Sequence, residues 1–129
     1  MSRQDGGLRK LFRKHLPQVH WTTVESRMTE SGIPDLHGLY DGVDFWIECK
    51  QTKGWAVVIR PTQIAWLLRR VRNDGRCFIA VRRKGDELWL IEGSSVKGLA
   101  TRGLPRGKLW MGGPSGWDWP SVLAHLTDG

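Results

Sequence analysis

Apolar residues recur along the chain with two periods. Leu8, Leu11, Phe12 and Leu16 stand at helical spacing and Pro17 closes the run, which predicts a first helix. The polar, Gly-rich residues 1–7 before it are expected to fray. Val19–Glu25, with its Trp, Thr and Val, predicts a strand, and 27–34 a loop. Leu36–Tyr40 and Val43–Cys49 flank Asp41-Gly42, the pattern of a β-hairpin with a two-residue turn. A short strand is expected at Trp55–Ile59. Pro61 then opens a helix whose stripe is Ile64, Leu67, Leu68 and Val71, and Asn73-Asp74-Gly75 stops it. Cys77–Val81, nearly all apolar, predicts a central strand, and Glu87–Ile91 a further one after Lys84-Gly85-Asp86. From Gly93 onward Gly and Pro dominate until a last helix over Pro120–Leu126. Helix, three strands with an insert, helix and strand make an α/β protein with helices packed on a mixed sheet.

The length of 129 residues fits a single domain spanning 1–129, with a core over about 8–91 and a Gly/Pro/Trp-rich extension over about 92–129. Apolar residues at 40% and charged residues at 26% describe an ordinary soluble protein. No apolar run is long enough to span a membrane, and no secretion signal is visible. Cys49 and Cys77 both fall inside expected strands, with neither sulfur nor histidine at metal-ligand spacing, which suits reduced thiols and a cytoplasmic location.

The net charge of +7 points to a polyanionic partner, above all nucleic acid. The candidate phosphate contacts are Arg9, Lys10, Arg13, Lys14, Lys53, Arg69 and Arg70; a solvated basic surface is the alternative.

The hairpin turns spacing into chemistry. If Asp41-Gly42 is the whole turn, Tyr40 pairs with Val43, and continuing the ladder sets Asp35 opposite Glu48. Lys50, two residues on, shares their face. Opposed Cβ atoms lie about 4.5–5.5 Å apart. Two carboxylates that close repel unless one is neutral or a cation sits between them. A divalent ion such as Mg²⁺, with Mn²⁺ as substitute, is the natural cation, and the backbone carbonyl of Cys49 can add a further oxygen ligand. Such a metal neutralises phosphate charge and activates water, while Lys50 orients that water or stabilises the phosphoryl charge. A cross-strand acid pair neutralised by Lys50 alone is the bland alternative, and a bulged turn would break the register.

Gly32-Ile33-Pro34-Asp35 followed by Glu48-Cys49-Lys50 resembles the PD-(D/E)xK nuclease superfamily, most of all the virus-type replication-repair nucleases (VRR-Nuc) of phages and their Holliday-junction-resolvase relatives. The resemblance covers about Leu8 to Val81. It implies a restriction-endonuclease-like αβββαβ core and Mg²⁺- or Mn²⁺-dependent hydrolysis of DNA phosphodiesters. It also implies roles for two further residues. Glu25 is either a third metal ligand, direct or through water, or a strand-end glutamate paired with Arg27. Gln63 either bonds near Lys50 and the scissile phosphate or faces water on the helix flank. A phage origin, in a bacterial host cell, is implied by the resemblance alone.

Outside this set, His37 is expected to oppose Trp46, as packing or as a substrate contact. The eight tryptophans suit core filling or a dimer contact better than base stacking. The reading that emerges is a metal-dependent DNA endonuclease, structure-selective for branched or junction DNA or nicking. The competing readings are a non-catalytic nucleic-acid-binding module and a site-specific homing or restriction enzyme. A homodimer is expected, since two symmetric cuts need two sites and the apolar tail residues Leu104, Leu109, Trp110, Met111, Trp117 and Trp119 would gain from packing on a partner.

Overall fold

The computed structural model describes residues 5–128. The chain runs α1 (Leu8–His15), β1 (His20–Thr23), α2 (Ser26–Thr29), β2 (Leu36–Tyr40), β3 (Val43–Thr52), α3 (Pro61–Arg72), β4 (Cys77–Arg83), β5 (Glu87–Glu92), a 3₁₀ turn (Gly93–Ser95), α4 (Val96–Arg102), β6 (Lys108–Trp110) and α5 (Trp119–Thr127). The strands form one six-stranded sheet in sequence order. All neighbours are antiparallel except β3 and β4. A parallel pair needs a crossover, and α3 supplies it.

The hairpin has the expected register. Tyr40 pairs with Val43 and Leu36 with Ile47. Asp41 and Gly42 both take positive φ, 52° and 78°, as the tight turn demands. Alternation then gives β3 two buried faces. Phe45, Ile47 and Cys49 enter a core shared with Leu8 and Phe12 of α1 and Val122 and Leu126 of α5. The opposite face lies under α3 and α4, where Leu67, Ile79, Val81 and Leu99 form a second core.

Five expectations are corrected. The segment Trp55–Ile59 is not a strand: Val57 and Ile59 are buried alternately, but the backbone joins no ladder. The loop after β1 contains the one-turn α2. The extension contains α4 and the edge strand β6. Its apolar residues also turn inward: Leu104, Trp117 and Trp119 are buried within this chain, leaving Leu109 and Met111 exposed. Of the N-terminal stretch expected to fray, residues 1–4 lie outside the described residues. Asp5–Gly7 form a turn in which Asp5 is buried and accepts from the Gly7 N–H at 3.0 Å. Both cysteines are buried and free, and among the described residues no helix is long and apolar enough to cross a membrane.

Candidate active site

Four polar side chains meet where β2 begins beside the middle of β3. β2 starts at Leu36, so Asp35, just before it, stands outside the ladder with its carboxylate free to turn onto β3. Asp35 Oδ2 accepts the Cys49 N–H at 2.9 Å. The N–H and C=O of one strand residue project to the same edge, so the Cys49 carbonyl faces this gap as well. The residue that would pair there is Pro34, which has no N–H to offer. Gly32 fixes the approach of this loop: its φ is +101°, and a Cβ there would collide with the Thr62 carbonyl at the start of α3.

Glu48 and Lys50 share one face of β3 and are only 3% and 9% exposed. Gln63, on the first turn of α3, binds both. Its Nε2 donates to Glu48 Oε2 at 2.9 Å, and its Oε1 accepts from Lys50 Nζ at 3.0 Å. The same Oε1 accepts the Arg60 N–H at 2.9 Å, satisfying a donor left free at the helix start. Lys50 Nζ lies 3.5 Å from Glu48 Oε2. Glu48 Oε1 is buried and has no hydrogen-bond partner. An unpaired buried carboxylate oxygen is costly and draws a proton or a cation.

The electrostatics agree. Burial, with the charge of Asp35 beside it, pushes the Glu48 carboxyl up to about 8, against the pull of Lys50. Burial likewise raises Asp35, opposed by the Cys49 N–H and by the charges of Arg9 and Lys50. A bare pair of carboxyls therefore resists double ionisation. A hard divalent cation removes that penalty and suits the oxygen donors of Asp35, Glu48 and the Cys49 carbonyl, so the residues fit such a metal.

The centre opens into a cleft of about 850 Å³, lined also by Asp5, Arg9, Glu25 and Arg60. Glu25 lies at the rim and not in the carboxylate pair: its side chain is 71% exposed and bonds Arg27 at 3.2 Å. Among the described residues no group of three His, Cys, Asp or Glu side chains could hold a metal together. Gln63 faces inward, not water. Arg9 reaches the cleft, held by Asp5 at 2.9 Å. Burial works against the charge on Asp5, but the bonds from Arg9 and the Gly7 N–H outweigh it and hold its carboxyl below the ordinary value. Lys10, Arg13 and Lys14 are exposed on α1, on the other side of the sheet from Arg69 and Arg70 of α3, and Lys53 is exposed beyond β3. The candidate phosphate contacts thus do not form one patch. His37 opposes Trp46, as the register requires, packs on its ring and bonds Asp44 at 3.2 Å.

Asp5 and Arg60 are lining residues that the sequence reading passed over. An acid just before a helix and four residues ahead of an arginine is a readable signal for Asp5. Arg60, whose guanidinium holds the Thr29 and Glu30 carbonyls at 2.7 and 3.3 Å, carries no such signal.

Residues 8–101 match the family model of the archaeal Holliday junction resolvase (Hjc). The match falls on the resolvase side of the resemblance. No curated protein matches. Among solved structures, Hjc of Archaeoglobus fulgidus, a Holliday junction resolvase from an archaeal hyperthermophile, superposes with a TM-score of 0.57 at 14% identity, covering 72% of this chain and 75% of that one. That likeness extends to the fold.

Proposed function

Because the chain belongs to the archaeal Holliday junction resolvase family, a family of metal-dependent endonucleases that act on junction DNA, we propose that Asp35, Glu48, Lys50 and Gln63 are the centre that cuts the phosphodiester. The observation that carries this assignment is the buried, partnerless Oε1 of Glu48, a residue that lines the same cleft as Asp35 and Lys50.

Asp35, Glu48 and the Cys49 carbonyl would hold a divalent cation, which we take to be Mg²⁺, with Mn²⁺ as a substitute. When bound, that ion supplies charge neutralisation at the phosphate and a more acidic water. The side chains then have separate tasks. Lys50 Nζ stands beside the carboxylates, where it offers its hydrogens to a phosphate oxygen as negative charge grows on it. Gln63 holds Lys50 and Glu48 in fixed relation, so neither must reorganise during the reaction. In the hydrolysis, the water oxygen bonds to phosphorus, the bond to the leaving sugar oxygen breaks, and a proton ends on that oxygen. Glu25 stays outside the metal set in this reading, and Arg9, steadied by Asp5, meets a neighbouring phosphate.

Two symmetric cuts resolve a four-way junction, so the working assembly is proposed to be a two-fold dimer. The buried free thiols suit a reducing, cytoplasmic setting. The test is cleavage of four-way, flap, nicked, single-stranded and linear duplex DNA with Mg²⁺ or Mn²⁺. Symmetric cutting of the junction, lost in Lys50→Ala, is the expected result. Metal-independent binding without cutting would replace the catalytic reading by a binding module. Sedimentation with and without junction DNA reads the assembly.

A further inference from the structure

Trp46 precedes Glu48 by two residues on β3 and therefore stands on the same face as the catalytic pair. It packs against Trp66 with ring centres 5.3 Å apart. Trp66 lies one turn along α3 from Gln63, so the two share a helix side. One turn further, Arg70 lays its guanidinium over both indoles, 4.4 Å from the Trp66 centre and 5.3 Å from that of Trp46. Trp66, Arg69, Arg70, Asn73 and Gly75 line a recess of about 410 Å³, with no acid among them.

Core filling accounts for only part of this arrangement. Both indoles pack against the second core, yet neither is fully buried. The Trp46 Nε1 hydrogen is buried without a partner, a cost that phenylalanine at the same position would avoid. What two indoles and an arginine provide is a rigid π surface edged with positive charge. That chemistry matches one ligand class: a nucleotide, with its base on the ring and its phosphate on a guanidinium. The recess begins at Trp66, on the same side of α3 as Gln63 of the cleft and one turn further along.

We propose that Trp66, backed by Trp46 and Arg70 and with Arg69 beside it, is a stacking site for an unpaired nucleotide at the branch of the DNA substrate. The proposal rests on the junction-endonuclease reading for its ligand, but its test needs no cleavage. A four-way junction carrying 2-aminopurine at the branch is titrated with the chain in metal-free buffer. Stacking on an indole should quench the fluorophore. Trp66→Ala should restore most of the fluorescence and weaken junction binding about tenfold, with less than about twofold change on linear duplex. Trp66→Phe should retain part of the quench. Arg69 is exposed, so Arg69→Ala keeps the fold and should weaken junction binding several-fold. Unchanged quench and affinity in Trp66→Ala, shown folded by its thermal melt, would overturn the proposal. If Trp66→Ala fails to fold, an unaltered quench in Trp66→Phe together with unaltered affinity in Arg69→Ala would overturn it. Conversion of a dimer to a monomer by Trp66→Ala, with the quench intact, would give the surface to a second copy of this chain instead. If the parent chain failed to cut any DNA, the catalytic reading would fall while the stacking result stood.

Discussion

Phe45, Ile47 and Cys49 point to one side of β3; Trp46, Glu48 and Lys50 point to the other. Ile47 and Glu48 are almost equally hidden, at 0% and 3% exposure. On the first side burial removes apolar surface from water and stabilises the fold. On the second it removes charge from water, which costs stability and leaves Glu48 unable to ionise at its ordinary pH. The same strand thus holds a scaffold row and a strained, chemically poised row. The rigidity of the first is what keeps the second from relaxing into solvent.

The two rows should part most widely in turnover. Lys50→Ala is expected to lower kcat at least about a thousandfold while junction affinity changes less than about threefold, since one of many basic residues is lost. Glu48→Ala should be equally inactive, and excess Mg²⁺ should not restore it. Single-turnover cleavage beside an equilibrium binding curve reads both quantities. Full turnover by Lys50→Ala would make Lys50 a structural partner of Glu48.

Ile47→Ala probes the scaffold row. It should cost about 2–5 kcal/mol in denaturant unfolding, with turnover per folded molecule held within about tenfold. A large loss of turnover at small loss of stability would mean that the two rows are not separable.

Between these lies the pH response of the metal-free protein. Folded Glu48 binds its proton more tightly than the unfolded residue does. The stability this gives is complete below about 4.5 and is lost as the pH rises through about 8. The metal-free melting temperature should therefore fall across that window. Glu48→Gln, which cannot ionise, should flatten the slope and gain on the order of 2–3 kcal/mol near neutrality. Mg²⁺ should stabilise the parent more as the pH increases, because ion and proton compete for one carboxylate. A pH-independent melt would sink this account of Glu48.

The smallest effect is expected at the rim. Glu25→Gln should change cleavage less than about fivefold, since its side chain faces solvent and Arg27. A loss as deep as that of Glu48→Ala would bring Glu25 into the metal set after all.

The central trio was legible because a two-residue turn converts spacing into register, and register into facing. Gln63 was legible only as a choice between two environments, because a glutamine on a helix flank carries no apolar label. The segment Trp55–Ile59 misled for a definite reason. Val57 and Ile59 alternate like a strand, yet they are buried by packing into the second core and not by pairing in the sheet. α4 contains Gly98, and β6 is three residues long, so neither carries enough periodic signal to stand out. The fate of the tail depended on long-range packing: Trp117 donates to the Asp86 carbonyl at 3.0 Å, a contact between segments far apart in sequence.

The turn at Asp41-Gly42 also limits how the gene for such a protein can drift in length. A codon gained or lost on one side of the turn shifts every facing pair by one place and turns Asp35 away from Glu48. Changes of length that keep the site come in matched sets: two residues added to β2 are tolerable when two are added to β3 opposite them. Along this stretch, selection acts on the parity and symmetry of insertions before it acts on the identity of the residues inserted.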